Sequence, residues 1–477
     1  MTKTSKSNLF MNAYLQGMPR ALTTSPRRPD ADREVVGLED LDAVLAMPQQ
    51  AVAIGGTVIS PDGALPGWVT VAGGVITAIS ATRPDDAAIT LDTDGIVMPG
   101  MLDLHGHPEF NIFAPWEPPK TYVNRYAWRG SAPYKELIRD PQNQLIGTVP
   151  TGYQLRYAEI RALVGGVTAI QGASLKTQGS YESMVRNVDG VVFGEHKARA
   201  VIDLPSSLDS PRGGSAFKNV LDEIEAGQVT AFYVHLAEGK RDNERSQKEF
   251  DHLVQMGGLT AATIIIHGTA LTRDQFQQAK DAGAKLVWSP QSNLRLYEET
   301  TRVADALDVG LPVALGADWL PSGSQSLLAE MKVAREELEN QQHPIAAKDL
   351  VAMVTSGAAD IAGLGGSLGR LEVGRPADLV VMASQDDDAY ESICQSTPAA
   401  VELVMIGGDV VYGQDTSVTE LVGDDAANRY EKTRAWGRKM LLDTSYTVRP
   451  ADKAAPTLLA IRQSLTSVYR PVGPIWA

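Results

Sequence analysis

The chain has 477 residues, 43% of them hydrophobic and 21% charged, with a formal net charge of −15. That length allows a large core and more than one domain, and an acidic chain without a basic block argues against a nucleic-acid partner. The only cysteine, Cys394, excludes an intrachain disulfide scaffold.

No apolar run reaches the roughly 18 residues that a membrane-spanning helix needs. The first ten residues carry two lysines but no apolar stretch of secretory length. The expectation is therefore a cytoplasmic protein acting on a small molecule, with no membrane partner.

In chain order, residues 1–48 read as a polar, proline-containing extension, with a helical candidate at 38–47. Residues 49–98 alternate in polarity and are broken by Gly55-Gly56, Pro61-Asp62-Gly63 and Gly73-Gly74. This predicts short antiparallel strands with tight turns, the first part of a small β domain. Beyond Pro99-Gly100, short apolar runs alternate with amphipathic stretches. The runs lie at 167–170, 200–202, 230–234, 263–266, 285–288 and 312–315, with helical candidates at 157–163, 274–282 and 326–338. Such βα repetition over 99–368 predicts an α/β fold, a (β/α)8 TIM-like barrel. Strand character returns at 378–382, 401–406 and 410–412. Residues 369–415 therefore read as the second part of the small domain, a β-sandwich built from both ends of the chain. A helical candidate at 426–442 opens a helical and irregular C-terminal extension, 416–477.

The chemistry concentrates where apolar runs end. Leu102-Asp103-Leu104-His105-Gly106-His107 offers two imidazoles two positions apart, which face one way if the run continues as a strand. His235 and Glu238 end the run through Phe232-Tyr233-Val234, His267 ends Ile264-Ile265-Ile266, and Asp318 follows Val313-Ala314-Leu315. Parallel barrel strands bring such ends around one axis. His105, His107 and His235 supply three nitrogens for a divalent metal with an open position. Asp318 can bind the metal and also hydrogen-bond its water. The metal lowers the pKa of that water. Glu238 can accept the water's proton and return it to a leaving nitrogen, and His267 can hydrogen-bond the attacked group or the water. His196, His252 and His343 lie in charged or polar surroundings and read as structural or solvated.

Taken together, these segments resemble the amidohydrolase superfamily. The likeness is to its metal-dependent aminohydrolases and chlorohydrolases, the group of cytosine, guanine and adenosine-type deaminases and triazine hydrolases. Pro99 to His107 is similar to the family's first barrel strand, His235-Leu236-Ala237-Glu238 to its fifth-strand ligand and acid, and His267 to its sixth-strand histidine. Trp288-Ser289-Pro290-Gln291-Ser292-Asn293-Leu294 is similar to its seventh-strand segment, and Gly316-Ala317-Asp318 to its last-strand aspartate. Gly369 to Leu379 looks like the family's return into the small sheet domain.

The resemblance implies one divalent metal, usually zinc and in some members iron. It also implies an asparagine near the substrate, here Asn293, and a homo-oligomer. Binuclear members bridge two metals through a fourth-strand lysine. Lys218 sits in a helix-like stretch and Lys176 has no bridge-like setting, so a single metal is expected. The stretch after His107 departs from the family. Its aromatic and arginine residues, Trp116 and Arg125 among them, either close over a ligand or cover the barrel mouth without touching it. Trp319 poses the same choice.

The expected reaction is hydrolytic deamination, or dechlorination, at an amidine-like carbon of a nitrogen heterocycle, with Glu238, His267 and Asp318 in catalytic roles. The alternatives are hydrolysis of an amide, carbamate or urea C–N bond, and a barrel that binds without catalysis. Substrate ring and leaving group are not written in these residues.

Overall fold

The computed structural model describes residues 51–85, 87, 89–173, 182–195, 197–449, 454–473 and 475. The helical candidate at 38–47, His196 and Lys176 lie outside them.

The chain opens with β1 (Val52–Ser60), β2 (Gly63–Ala72), β3 (Val75–Ser80) and β4 (Ile89–Pro99). Eight parallel strands follow, interspersed with helices. They are β5 (Met101–Asp103), β6 (Val167–Ile170), β7 (Arg186–Asn187), β8 (Ala198–Val201), β9 (Ala231–Leu236), β10 (Thr263–His267), β11 (Lys285–Trp288) and β12 (Val313–Leu315). Each apolar run picked out of the sequence forms one of these strands. β7, two buried polar residues, carried no apolar signal. Helices α1 (Arg125–Arg129), α3 (Glu244–Gln255) and α4 (Pro290–Tyr297) bear on the site, and α2 (Tyr153–Val164) packs against β6 away from it. No helix among the described residues is long and apolar enough to cross a membrane.

The chain then returns through β13 (Leu379–Met382), β14 (Val401–Ile406), β15 (Asp409–Gln414), β16 (Glu431–Ala435) and β17 (Arg438–Leu442). Both chain ends share one nine-stranded mixed sheet, in the order β16-β17-β15-β14-β13-β4-β1-β2-β3. Hydrogen bonding runs unbroken across it, where two facing sheets were expected. The helix expected at 426–442 is largely the hairpin β16–β17. Its two-residue turn, Trp436-Gly437, has φ of 49° and 77°, the doubly left-handed geometry that favours a tight hairpin. Alternating exposure along β16 turns its charges outward.

The parallel strands form sheets of three (β5-β6-β7) and five (β12-β11-β10-β9-β8). Period-2 alternation sets their two faces. Ala231 and Tyr233 of β9 pack inward with Ile264, Ile266, Val287 and Ala314. Phe232, Val234 and Leu236 pack outward, beneath the helices. First and last strands meet through an isolated parallel bridge, Gly106 to Asp318. Asp103 reinforces the junction, its Oδ1 accepting from the backbone N–H of His105 (3.3 Å) and of Ala317 (3.1 Å). Glycine is required at 316, because a Cβ there would lie 2.5 Å from that of His105.

Candidate active site

The strand ends carry the polar cluster. The β5 ladder stops at Asp103, so His105 and His107 lie just beyond the strand. Three other strand ends turn sharply, placing Ala237 (φ 53°), His267 (φ 68°) and Asp318 (φ 59°) in the left-handed region. A side chain there costs of order 1–3 kcal/mol, and such strain persists only where surrounding bonds enforce it. The enforcing bonds are present. Ala237 N–H donates to Glu249 Oε2 (2.8 Å) and Asp318 N–H to the His105 carbonyl (2.8 Å). Gly268 N–H, just after His267, donates to the Leu236 carbonyl (3.0 Å).

These turns bring His105, His107, His235, His267 and Asp318 together. His105 Nε2 lies 3.2 Å from His235 Nε2 and 3.5 Å from Asp318 Oδ1, and His107 Nε2 lies 3.6 Å from the same oxygen. Two overlapping ligand sets result, His105–His235–His267 and His105–His107–Asp318, each with its donor atoms within 4.8 Å of one another. Burial holds His105 and His235 well below the usual imidazole range, with neighbouring histidines adding to it. Burial likewise takes His107 down to about 4. Neutral imidazoles are the form that binds metal. Burial pushes the Asp318 carboxyl well up, and Glu238 nearby adds to it. Two imidazole nitrogens in near contact, beside a buried carboxylate, form a donor set that fits a single divalent cation.

The rings are held from behind by α4. Ser289, the residue preceding it, lies 2.8 Å from His105 Nδ1, and Asn293 Oδ1 lies 2.9 Å from His267 Nδ1. A carbonyl oxygen only accepts, so His267 carries its proton on Nδ1 and keeps the Nε2 lone pair for the site. That Nε2 lies 3.7 Å from Glu238 Oε2. Tyr297 donates from its hydroxyl to Glu238 Oε1 at 2.5 Å. Ser289, Asn293 and Tyr297 recur every four residues, so one helical face supports His105, His267 and Glu238. Only Asn293 had been singled out from the sequence. The four-residue spacing behind Pro290 was the signal for the other two.

The structure also places the residues expected to touch substrate. Asn293 is fully buried, its amide nitrogen bonded to Thr300 Oγ1 (3.3 Å), and it reaches the site only through His267. Arg125 is 1% exposed, its guanidinium engaged by Glu249 (2.8 Å), Asp203 (3.3 Å) and the Tyr126 hydroxyl (2.8 Å). Glu249 is also the acceptor for Ala237 N–H, so Arg125 acts on the His235–Glu238 turn. Trp116 is buried with Tyr122, Leu296 and Tyr297. Trp319 packs against Phe110, Trp128 and Tyr134, in an aromatic wall. His252 bonds the Pro205 carbonyl (2.7 Å) and His343 pairs with Asp308 (3.4 Å), both away from the site. Lys218 is exposed on its helix.

A strand-end centre of histidines and one aspartate, on parallel βα units, defines a metal-dependent hydrolase. Residues 96–411 match the Amidohydrolase family, and the chain belongs to it. A relative from Teredinibacter turnerae, a 5-methylthioadenosine/S-adenosylhomocysteine deaminase, is 27% identical over 335 residues, 61% of this chain and 73% of the relative. The fold is similar to that of a zinc-bound adenosine deaminase from Xanthomonas campestris, with TM-score 0.57 and 17% identity, covering 75% of this chain and 92% of that one. It is similar also to atrazine chlorohydrolase from Arthrobacter aurescens TC1 complexed with zinc, with TM-score 0.59 and 18% identity, covering 76% and 95%.

Proposed function

We propose that this chain deaminates a nitrogen heterocycle at an amidine-like carbon, on a closed (β/α)8 barrel, using one divalent metal, zinc. His105, His107, His235 and Asp318 would hold the ion. When bound there, it acidifies a water and makes hydroxide available near neutral pH. Glu238 takes up the water's first proton at Oε2 and passes it to the ring nitrogen, then takes the second from the added hydroxyl and gives it to the departing amine. His267 Nε2 and Asp318 orient the adding water and the attacked carbon between them. Water adds, ammonia leaves, and the ring carbon becomes a carbonyl.

The observation that carries this reading is Glu238 Oε2, 3.7 Å from His267 Nε2 and beside the ligand cluster. The relatives' names make 6-aminopurine nucleosides with a 5′-thioether the first compounds to try. A cytoplasmic homo-oligomer completes the proposal.

The test loads the protein with zinc and offers two pools, aminated heterocycles and N-acyl, carbamoyl or ureido compounds. Ammonia from the first pool alone is the expected result. A new amine and carboxylate from the second pool alone would overturn deamination in favour of amide or carbamate hydrolysis.

A further inference from the structure

Behind Glu238 runs a hydrogen-bond chain that begins at an indole. Trp128 Nε1–H donates to the Tyr297 hydroxyl oxygen (2.9 Å), and Tyr297 donates to Glu238 Oε1 (2.5 Å). Trp319 Nε1–H donates to Ser322 Oγ, which lies 2.7 Å from Ser292 Oγ. The two indoles pack on each other, centroids 5.3 Å apart and planes at 31°.

An indole N–H can only donate. Tyr297 therefore accepts from Trp128, and its single proton goes to Glu238. At Glu238 the consequence is specific. Oε1 is committed as an acceptor, so a proton taken up by Glu238 resides on Oε2, the oxygen that faces His267.

We propose that Tyr297 and Trp128 are positioning residues that assign the two oxygens of Glu238, Oε1 as acceptor and Oε2 as proton carrier. The proposal rests on Glu238 as the proton carrier of the reading above. It gives the segment after His107 a role independent of substrate contact, because Trp128 belongs to α1 of that segment.

The experiment follows the indole N–H resonances of the full-length protein labelled with 15N at tryptophan. Trp128→Phe assigns the Trp128 signal by its loss. Glu238→Gln exchanges a charged acceptor for a neutral one, and the Trp128 signal is expected to move although two hydrogen bonds separate the groups. Tyr297→Phe removes its acceptor and is expected to move it further. An unmoved Trp128 signal in Glu238→Gln overturns the proposal whatever the substrate is.

The kinetic arm uses the substrate found above. Tyr297→Phe is expected to lower kcat about tenfold or more, with KM held and metal content unchanged. Trp128→Phe should lower kcat less, and add nothing when combined with Tyr297→Phe. Additive losses, or a change in KM alone, count against it. A displaced resonance together with full kcat in Glu238→Gln would instead defeat the reading of Glu238 as proton carrier.

Discussion

The strand ends and the segment 108–134 face the same space but are built differently. The ligand set stands at or just past ends of parallel strands, on backbone fixed by ladder bonds. The covering segment has no strand of its own. It is stitched down by single backbone bonds, Trp116 N–H to the Pro321 carbonyl (2.7 Å) and Tyr122 N–H to the Leu296 carbonyl (2.8 Å), and by an isolated bridge at Asn124–Gly239, where Lys240 N–H donates to the Val123 carbonyl (2.8 Å) and Arg125 N–H to the Glu238 carbonyl (3.3 Å). Its polar side chains point mostly at protein, as Arg125 and Trp128 do. Rigid strands thus supply the reacting groups, α4 supplies the bonds that aim them, and the covering segment backs those bonds through Arg125 and Trp128. Aiming a side chain within a fraction of an ångström requires such support.

The sharpest break in this comparison is at the ligands. His105→Ala is expected to abolish turnover and to drop bound metal well below one ion per chain, read by elemental analysis of the purified protein. Retained turnover would remove the metal assignment. Next comes Glu238→Gln, expected to keep metal while slowing the chemical step roughly 10²–10⁴-fold, the usual share of general acid–base catalysis. Single-turnover kinetics give that step directly.

In the covering segment, Arg125→Leu is expected to act on stability. It leaves Glu249 without its buried cation while Asp203 keeps Arg129 (2.9 Å), a loss of about 3–5 kcal/mol, read as a lower unfolding midpoint with metal content unchanged. A raised KM with unchanged stability would instead make Arg125 a substrate contact.

The smallest effect lies outside both regions. Burial raises the Glu159 carboxyl on α2 to about 7, against 4.5 for the free group. The folded state therefore holds that proton more tightly than the unfolded chain does. Stability from this group is greatest below about pH 4.5, declines through the window up to about 7, and stays low above it. Glu159→Gln, which keeps an acceptor for Met184 N–H, should flatten the pH dependence of the unfolding midpoint between those values.

The strand ends were legible because a buried parallel strand needs a continuous apolar run, and a polar residue ending such a run stands out. Six runs at βα spacing sufficed to place His235, His267 and Asp318 on one rim. The covering segment was not legible, because aromatic residues and arginines look alike whether they line a cavity or fill one. Arg125 and Trp116 turn inward to protein partners that lie far off in sequence. The tail was misread at 426–442, where a helical pattern hid a hairpin whose turn depends on two left-handed residues, one of them the unlikely Trp436. Support from α4 was half legible. Asn293 stood out, while Ser289 and Tyr297, on the same face, needed the helix to be seen.

The nine-stranded sheet has a consequence for how the chain matures. Val97 and Met98 of β4 pair with Val381 and Val380 of β13, so the N-terminal strands meet their central partners only after every barrel strand has been synthesised. Contacts this distant in sequence close slowly. On the ribosome, β4 must wait with an unpaired edge until β13 has emerged.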